Sequence, residues 1–501
     1  MMITQKENQI DHFKMVGDWA LAAGRFLQSK QTGYVHYYSN DTQEPYRTIP
    51  LVENTLFALA LLRSRLVEQV QEAKVILKGL LAFQNLTESD SYGNFPVYLH
   101  EFPHCADSTM GLQLAAPFYW ILHHFGHVLG TSLKQQLEEA ARLGLENCLE
   151  SHKIKPFPYS IAVRLAAAQF AFGLLWNKEG WKCEGKEQLE QLSERQLEGW
   201  NSTKHLGDLL IGLQMAYPSL ANSHWQALWQ RMEQTWHPQT ASYIGPCVRE
   251  WQEGEEPMPN LYDLFGGYFA GQFSRRATLL RPYHLYGALI QSSADKFQLN
   301  SSSTQVVQNH YKLQAWKSVS SAEKAYTLLE KKEPCNPSID KTFTPFRLIW
   351  GNLQALHSLV CQGVGYEKVE FSEEGNTLKL SFDLPLNLPE GEKHQKRELE
   401  FFVDCQPEIY FTLNGNPSNT FSLGQELMMH LGAQRVSLVL DLLEGEGDFM
   451  GHVMRGNRPS QIDHKGETRF HAYDWTIFLR TIRRTQHCRL QAALTLLPEK
   501  S

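Results

Sequence analysis

Apolar positions change their spacing near residue 300. Before that point they recur every three to four residues, the period of an amphipathic helix. Ile10, Phe13, Val16, Trp19, Ala20 and Ala23 fall on one face of a helix over 6–29. Residues 51–67 (LVENTLFALALLRSRLV) are apolar on nearly every side, as a helix enclosed by other helices is. The same spacing predicts helices near 68–84, 108–127, 132–150, 159–177, 185–199, 203–216, 222–236, 260–273 and 282–293. No fixed repeat of the solenoid kind runs through them.

After residue 310 the apolar residues alternate or form short runs between turn signals. YKLQAWKSV, FRLIWGN, KVEFSEEGNTLKLSFDLPL, ELEFFVDCQPEIYFTLNG, QRVSLVLDLLEG, GDFMGHVMRG, RFHAYDWTIFLRTIRR and CRLQAALTLL read as strands, with EEGN, NGNPSN and EGEGD as turns. This pattern predicts an antiparallel sandwich. The polar, Ser-rich FQLNSSSTQVVQNH marks the joint. The expected division is therefore a helical domain over 1–296, a linker over 297–310 and a β-sandwich over 311–501.

Composition narrows the class. The chain has 501 residues, 42% apolar and 20% charged, ordinary values for globular domains with their own cores. A net charge of −7 argues against general nucleic-acid binding, while leaving room for a local basic groove. The opening MMITQKENQIDHF lacks the apolar stretch of a secretion signal, and no run reaches the length of a membrane span. The eight cysteines are scattered without a Cys-x-x-Cys pair, which suits free thiols. A cytoplasmic location is expected, with export by a non-Sec route as the alternative. Neither a membrane nor a nucleic-acid partner is expected, and oligomeric state is not legible.

Candidate chemistry gathers in the loops. QTGYVHYYS, SYGNFPVYLHEFPH, IKPFPYS and ASYIGPCVREW all join aromatics to Gly or Pro, so they either pack over helix ends or form a wall suited to sugar rings. The densest is 92–107, which holds Asn94, Tyr98, His100, Glu101, His104 and Asp107. Imidazole exchanges protons near neutral pH, which makes His100 and His104 candidates for proton transfer. Asp107 stands where a helix N-cap belongs. Tyr34, His36 and Tyr38 share one face if extended, with Arg47 close behind, and form a second candidate surface. Tyr243 and Tyr262 supply further phenols. In the second domain, Arg455 and Arg458 follow a strand beside two glycines and an amide. They suit an anion, or else a turn pairing with Asp448 or Asp463. His123 and His127 lie one turn apart, but the intervening Glu of a zinc-protease helix is His124 and no third ligand is evident. No metal or cofactor is expected. Gly-x-Ser-x-Gly, phosphate-loop and dinucleotide motifs are absent.

An (α/α) toroid followed by an antiparallel β-sandwich resembles, in layout, the polysaccharide lyases of the heparinase II/III, alginate and chondroitin lyase type. That resemblance implies β-elimination on an acidic, uronic-acid oligo- or polysaccharide. It assigns a carboxylate-neutralising group and a Tyr or His acid and base, roles for which Asn94, His100, His104, Tyr98 and Tyr243 are of the right types. Tyr34, His36, Tyr38, Arg47, Tyr262, Arg455 and Arg458 would then contact substrate. Two other readings stay open: a toroid glycoside hydrolase using two of Glu53, Glu101, Asp107, Glu250 and Asp263, and a non-catalytic carbohydrate-binding or scaffold protein.

Overall fold

A computed structural model describes residues 11–37, 48–194, 203–216, 223–246, 261–292, 297–298, 304–311, 314–332, 344–362, 366–384, 397–404, 409–459, 473–484 and 487–497. Its first half is helical. Helices α1 (His12–Leu27), α2 (Leu51–Ser64), α3 (Val67–Leu81), α4 (Met110–Leu129), α5 (Thr131–Ile154), α6 (Tyr159–Leu175), α7 (Glu179–Ser193), α8 (Thr203–Ala216), α9 (Ser223–Gln234) and α10 (Leu261–Ala270) precede a 3-10 helix, Pro282–Leu289.

Composition decides which helices lie inside. In α2 every residue from Leu51 to Leu62 except Glu53 is buried, and α4 and α6 are buried along most of their length. By contrast α5 and α7 bury one stripe and expose the rest, the usual form of a helix on the outside of a bundle. The packing order of the inner helices is α2, α4, α6, α8, α10, the Pro282–Leu289 helix and α2 again, so they close a ring. Outer α3, α5 and α7 back onto α2, α4 and α6.

Small residues allow the closest approaches. A Cβ on Gly111 of α4 would meet the Gly144 carbonyl of α5 at 2.3 Å. Gly93, at φ +84°, rests against the Leu143 backbone, where a Cβ would meet the carbonyl at 2.7 Å. The 91–107 loop is thereby seated on α5. Among the described residues no helix is long and apolar enough to cross a membrane.

Between α9 and α10 a short hairpin, β1 (Trp236–His237) with β2 (Ser242–Tyr243), stands where helical spacing was read as far as residue 236. The second half is antiparallel throughout. Strands are β3 (Gln305–Tyr311), β4 (Gln314–Ser320), β5 (Lys324–Leu329), β6 (Phe346–Gly351), β7 (Leu356–Gln362), β8 (Lys368–Glu374), β9 (Thr377–Leu384), β10 (Arg397–Asp404), β11 (Ile409–Leu413), β12 (Asn416–Pro417), β13 (Thr420–Phe421), β14 (Leu427–Leu431), β15 (Gln434–Glu444), β16 (Gly447–Pro459), β17 (Tyr473–Arg484) and β18 (Cys488–Leu497). One sheet runs β13-β16-β17-β10-β7-β6-β5-β4-β3 and the other β12-β11-β14-β15-β18-β9-β8. Their facing side chains, among them Phe346, Leu348, Phe382, Phe401, Met429 and Leu490, form a second core separate from that of the ring. The strict alternation of β9 and β18 buries every second residue there.

The first strand of the sandwich, β3, starts at Gln305, inside the segment expected to be linker, and Phe297 packs in the helical core. The halves meet through the hairpin. Ile244 packs with Ala325, Ile349 and Leu356 of the sandwich. Its carbonyl accepts from the Ser318 hydroxyl at 2.9 Å and from the Thr327 hydroxyl, while Arg347 donates to the Tyr243 carbonyl. His237 Nε2 bonds the Ser321 carbonyl at 2.8 Å. These bonds satisfy the Tyr243 and Ile244 carbonyls and the His237 ring where the domains touch, as buried polar groups require.

Candidate active site at the mouth of the helical ring

Charged groups are scarce on the inner helices; Glu53, Arg164 and Asp208 lie at one level, while Arg63 lies at the opposite end of α2. Glu53 is the third residue of α2, Gln113 the fourth of α4, Arg164 the sixth of α6 and Asp208 the sixth of α8. Arg164 Nη1 donates to Asp208 Oδ1 at 2.8 Å, and Nη2 donates to the Gln113 carbonyl at 3.1 Å. Both partners of the ion pair are almost wholly buried. The first turns of α4, α6 and α8 are thus drawn together at one end of the ring.

Glu53 and Tyr286 complete this level. Each is closely surrounded by protein and keeps part of its surface open to solvent. Burial pushes the Glu53 carboxyl up from 4.5 to about 7. Burial likewise pushes the Tyr286 phenol up, the Glu53 and Asp208 carboxylates push it further, and Arg164 opposes them. The mouth therefore carries an acid that exchanges its proton at neutral pH beside a phenol that keeps its own.

The loops above the mouth are tied to it. Asn54, fully buried, accepts from the Val35 N–H at 2.7 Å and donates to the Val35 carbonyl at 2.9 Å, holding the 31–37 segment on α2. Pro50 pairs with Tyr98, Leu51 N–H donates to the Val97 carbonyl and Leu99 N–H to the Ile49 carbonyl. The 3-10 turn Leu99–Glu101 is so placed over the first turn of α2, and it carries His100 at the surface. From the same loop a chain of bonds descends to the ring. Asn94 Nδ2 donates to the Asp107 carbonyl, Gln113 Nε2 donates to Asp107 Oδ2, and the Gln113 carbonyl receives Arg164.

These placements revise several expected roles. Asn94 is 1% exposed, and both ends of its amide are engaged, by the Asp107 carbonyl at 2.9 Å and the Gly111 N–H at 3.0 Å. It clamps the loop to α4 and does not face a substrate. Tyr98 is buried, with its ring stacked on His100 at 5.8 Å. Tyr243 is fully buried and donates to the Pro246 carbonyl at 3.1 Å. Tyr262, also fully buried, meets the Tyr243 ring edge-on at 5.1 Å. Both tyrosines pack the joint between hairpin and α10, which denies them a substrate-binding surface. Tyr34 directs its hydroxyl onto Gly79 of α3 and His36 bonds the Thr32 hydroxyl, so the two are not one platform. Tyr38, Arg47 and Glu250 lie outside the described residues, as does the Arg458 side chain. His100 and His104 are exposed.

Helix α4 begins at Met110 with Thr109 as its N-cap, so Asp107 is not the cap; it holds the preceding turn, accepting from the Thr109 N–H and hydroxyl at 2.7 Å each. Glu101 accepts from the Tyr98 N–H. Asp263 is buried beside Tyr262. Arg455 stacks over Trp475 at 4.5 Å, near Asp474. Arg164, Asp208 and Tyr286 were not singled out from the sequence. Their signal was there: a lone Arg in YSIAVRLAAAQFAFGLL and a lone Asp in HLGDLLIGL, each a charge inside an apolar helix that burial forbids without a partner.

The chain is similar in fold to solved polysaccharide lyases. It superposes on heparinase III with a TM-score of 0.49 at 10% identity, covering 100% of this chain and 87% of that one. With the Streptomyces coelicolor A3 chondroitin AC lyase, solved in complex with chondroitin sulphate, the TM-score is 0.47 at 8% identity, over 99% and 80% of the two chains. With a heparan sulfate lyase from Pedobacter heparinus it is 0.37 at 10% identity, over 99% and 85%. No protein-family model matches the sequence, and no curated protein matches it.

Proposed function

We propose that the chain is a polysaccharide lyase that cleaves an acidic, uronic-acid polymer by β-elimination at the ring mouth. The observation that carries this reading is the pairing of Glu53, poised near pH 7, with a phenol kept protonated, Tyr286, both partly open to solvent and within electrostatic reach of each other. Protonated Glu53 donates a hydrogen bond to the uronate carboxylate, which withdraws charge and acidifies the C5 proton. His100, carried over the first turn of α2, accepts that proton. The electron pair forms the C4–C5 double bond as the C4–O bond breaks, and Tyr286 donates its proton to the departing oxygen. The Arg164–Asp208 pair fixes the inner helices that present these groups.

A second reading rests on the same level of the ring. Glu53 as general acid and Asp208 as second carboxylate are the parts of a glycoside hydrolase. One assay separates the two: uronic-acid polymers are screened for ultraviolet absorbance of an unsaturated product and, in parallel, for new reducing ends. A lyase gives both signals and a hydrolase only the second. Binding without either signal leaves the non-catalytic reading. Tyr286→Phe should cost about 10²-fold or more in turnover under the elimination mechanism. Glu53→Gln should retain more rate than Glu53→Ala, because an amide still neutralises a carboxylate by hydrogen bonding. Under hydrolysis both Glu53 variants lose the proton donor and fall alike.

A further inference from the structure

The outer face of the nine-stranded sheet leads from the domain joint, across buried residues, to a partly exposed basic patch at Arg397 and Arg480. By register, Arg347, Val360, Phe402, Thr476 and Met454 form one row across β6, β7, β10, β17 and β16. At its inner end Arg347 holds the Tyr243 carbonyl of the helical domain. The next row on that face is Gln362, Glu400, Phe478 and His452. Beside it Arg397 and Arg480 are direct cross-strand partners. Arg455 points to the other face, over Trp475.

The arrangement is costly without a ligand. Like charges directly opposite on neighbouring strands destabilise a sheet. Arg397 has Glu400 at 3.0 Å, but among the described residues no carboxylate pairs with Arg480. A third basic group is added by His452, whose ring stacks on Phe478 at 5.2 Å, and Arg397 lies over the same phenyl ring at 4.3 Å. Cation–π contact and stacking thus hold the Arg397 guanidinium and the His452 imidazole in fixed positions around one aromatic ring. Arg480 also disfavours the protonated form of His452, which places these two groups within electrostatic reach of each other.

We propose that this face is a binding subsite for an acidic oligosaccharide, in which Arg397 and Arg480 pair its sulfate or carboxylate groups beside Phe478 and His452. The occupant follows from charge complementarity and from continuity with the domain joint. The inference rests on the elimination reading in one respect: it supplies the ring mouth with a second stretch of the same polymer.

The test titrates the full chain with heparin and alginate hexasaccharides by calorimetry, comparing the parent with Arg397→Gln/Arg480→Gln and with Arg480→Glu. Circular dichroism checks that each variant is folded, and the single reversal at the partly exposed Arg480 serves if the double variant is not. The expected result is a loss of about tenfold or more in affinity, with a shallower salt dependence, because charge-assisted contacts are removed. Equal affinity in parent and folded variants overturns the subsite, as does a parent that binds neither hexasaccharide. Cleavage is scored separately. A parent that cleaves but ignores the two arginines keeps the ring-mouth reading and loses this one; a parent that binds through them but cleaves nothing does the reverse.

Discussion

Replacing Glu53 by Gln tests the chemistry of the ring mouth without any substrate. Burial raises the carboxyl from 4.5 to about 7, so the folded protein holds this proton more tightly than the unfolded chain does. Between those values the native state binds more protons, and its stability falls as pH rises. The contribution is fully present below 4.5 and lost as pH passes through about 7, with a total of about 3 kcal/mol for a shift of this size. Glutamine cannot ionise, so the variant lacks this loss. Denaturant unfolding of parent and Glu53→Gln, followed by the helical signal at pH 5, 6, 7 and 8, gives the difference between them. Other titrating groups are common to both proteins and cancel. The variant should gain on the parent by about 2.5 kcal/mol between pH 5 and pH 8, the part of the total that falls in this window. A difference that stays constant within about 0.5 kcal/mol over that range shows that Glu53 is not held in a disfavoured charge state, and it removes the acid from the proposed mechanism. In an active preparation the parent's rate should also decline as pH rises through 7, and that limb should be missing from Glu53→Gln.

Arg164→Met and Asp208→Asn should each destabilise the helical domain by about 3–5 kcal/mol, because each strands a buried partner, whereas Arg164→Met/Asp208→Leu should cost less than the sum; denaturant midpoints of all three decide. Asn94→Ala should lower stability by about 1–3 kcal/mol through the loss of its two buried bonds, and a variant that unfolds like the parent yet turns over slowly would put Asn94 on the substrate instead. Ile244→Ala, at the domain joint, should cost about 2–5 kcal/mol of coupling and split one calorimetric transition into two, and a single unchanged transition would show that the hairpin does not couple the halves.

The division into a helical and a strand half was legible because periodicity reports burial directly. An inner helix is apolar all round, an outer one is striped, and a sandwich strand alternates. The hairpin before α10 was not legible. Trp225, Trp229 and Trp236 share a helical spacing, but Trp236 belongs to β1 and packs its ring near Tyr262. Periodicity cannot see where a chain turns back when the residues after the turn are also apolar. The site was legible only in its outline. The 91–107 loop was chosen for its density of polar and aromatic groups, and that density serves mostly to seat the loop. Asn94, Tyr98, Glu101 and Asp107 spend their polar atoms or their burial on the fold itself. A side chain's type says what chemistry it can do; only its partners say whether it is free to do it.

Under the elimination reading, the ring mouth reconciles a net charge of −7 with an anionic substrate. Glu53, Gln113, Arg164 and Asp208 all lie in the first two turns of their helices, so the N-termini of α2, α4, α6 and α8 converge at this end. Each N-terminus carries about half a positive elementary charge on unsatisfied N–H groups. Those partial charges favour an ionised Glu53, but burial wins, since the carboxyl still ends near 7. The same partial charges disfavour Arg164 six residues into α6, which is why it needs both Asp208 and the Gln113 carbonyl to remain there. Under the elimination reading, a uronate entering the mouth would meet the helix ends, a Glu53 that is neutral below about pH 7, and an Asp208 carboxylate already paired with Arg164. Net charge sets the long-range field, which salt screens within about 10 Å, and inside that distance the oriented N–H groups decide.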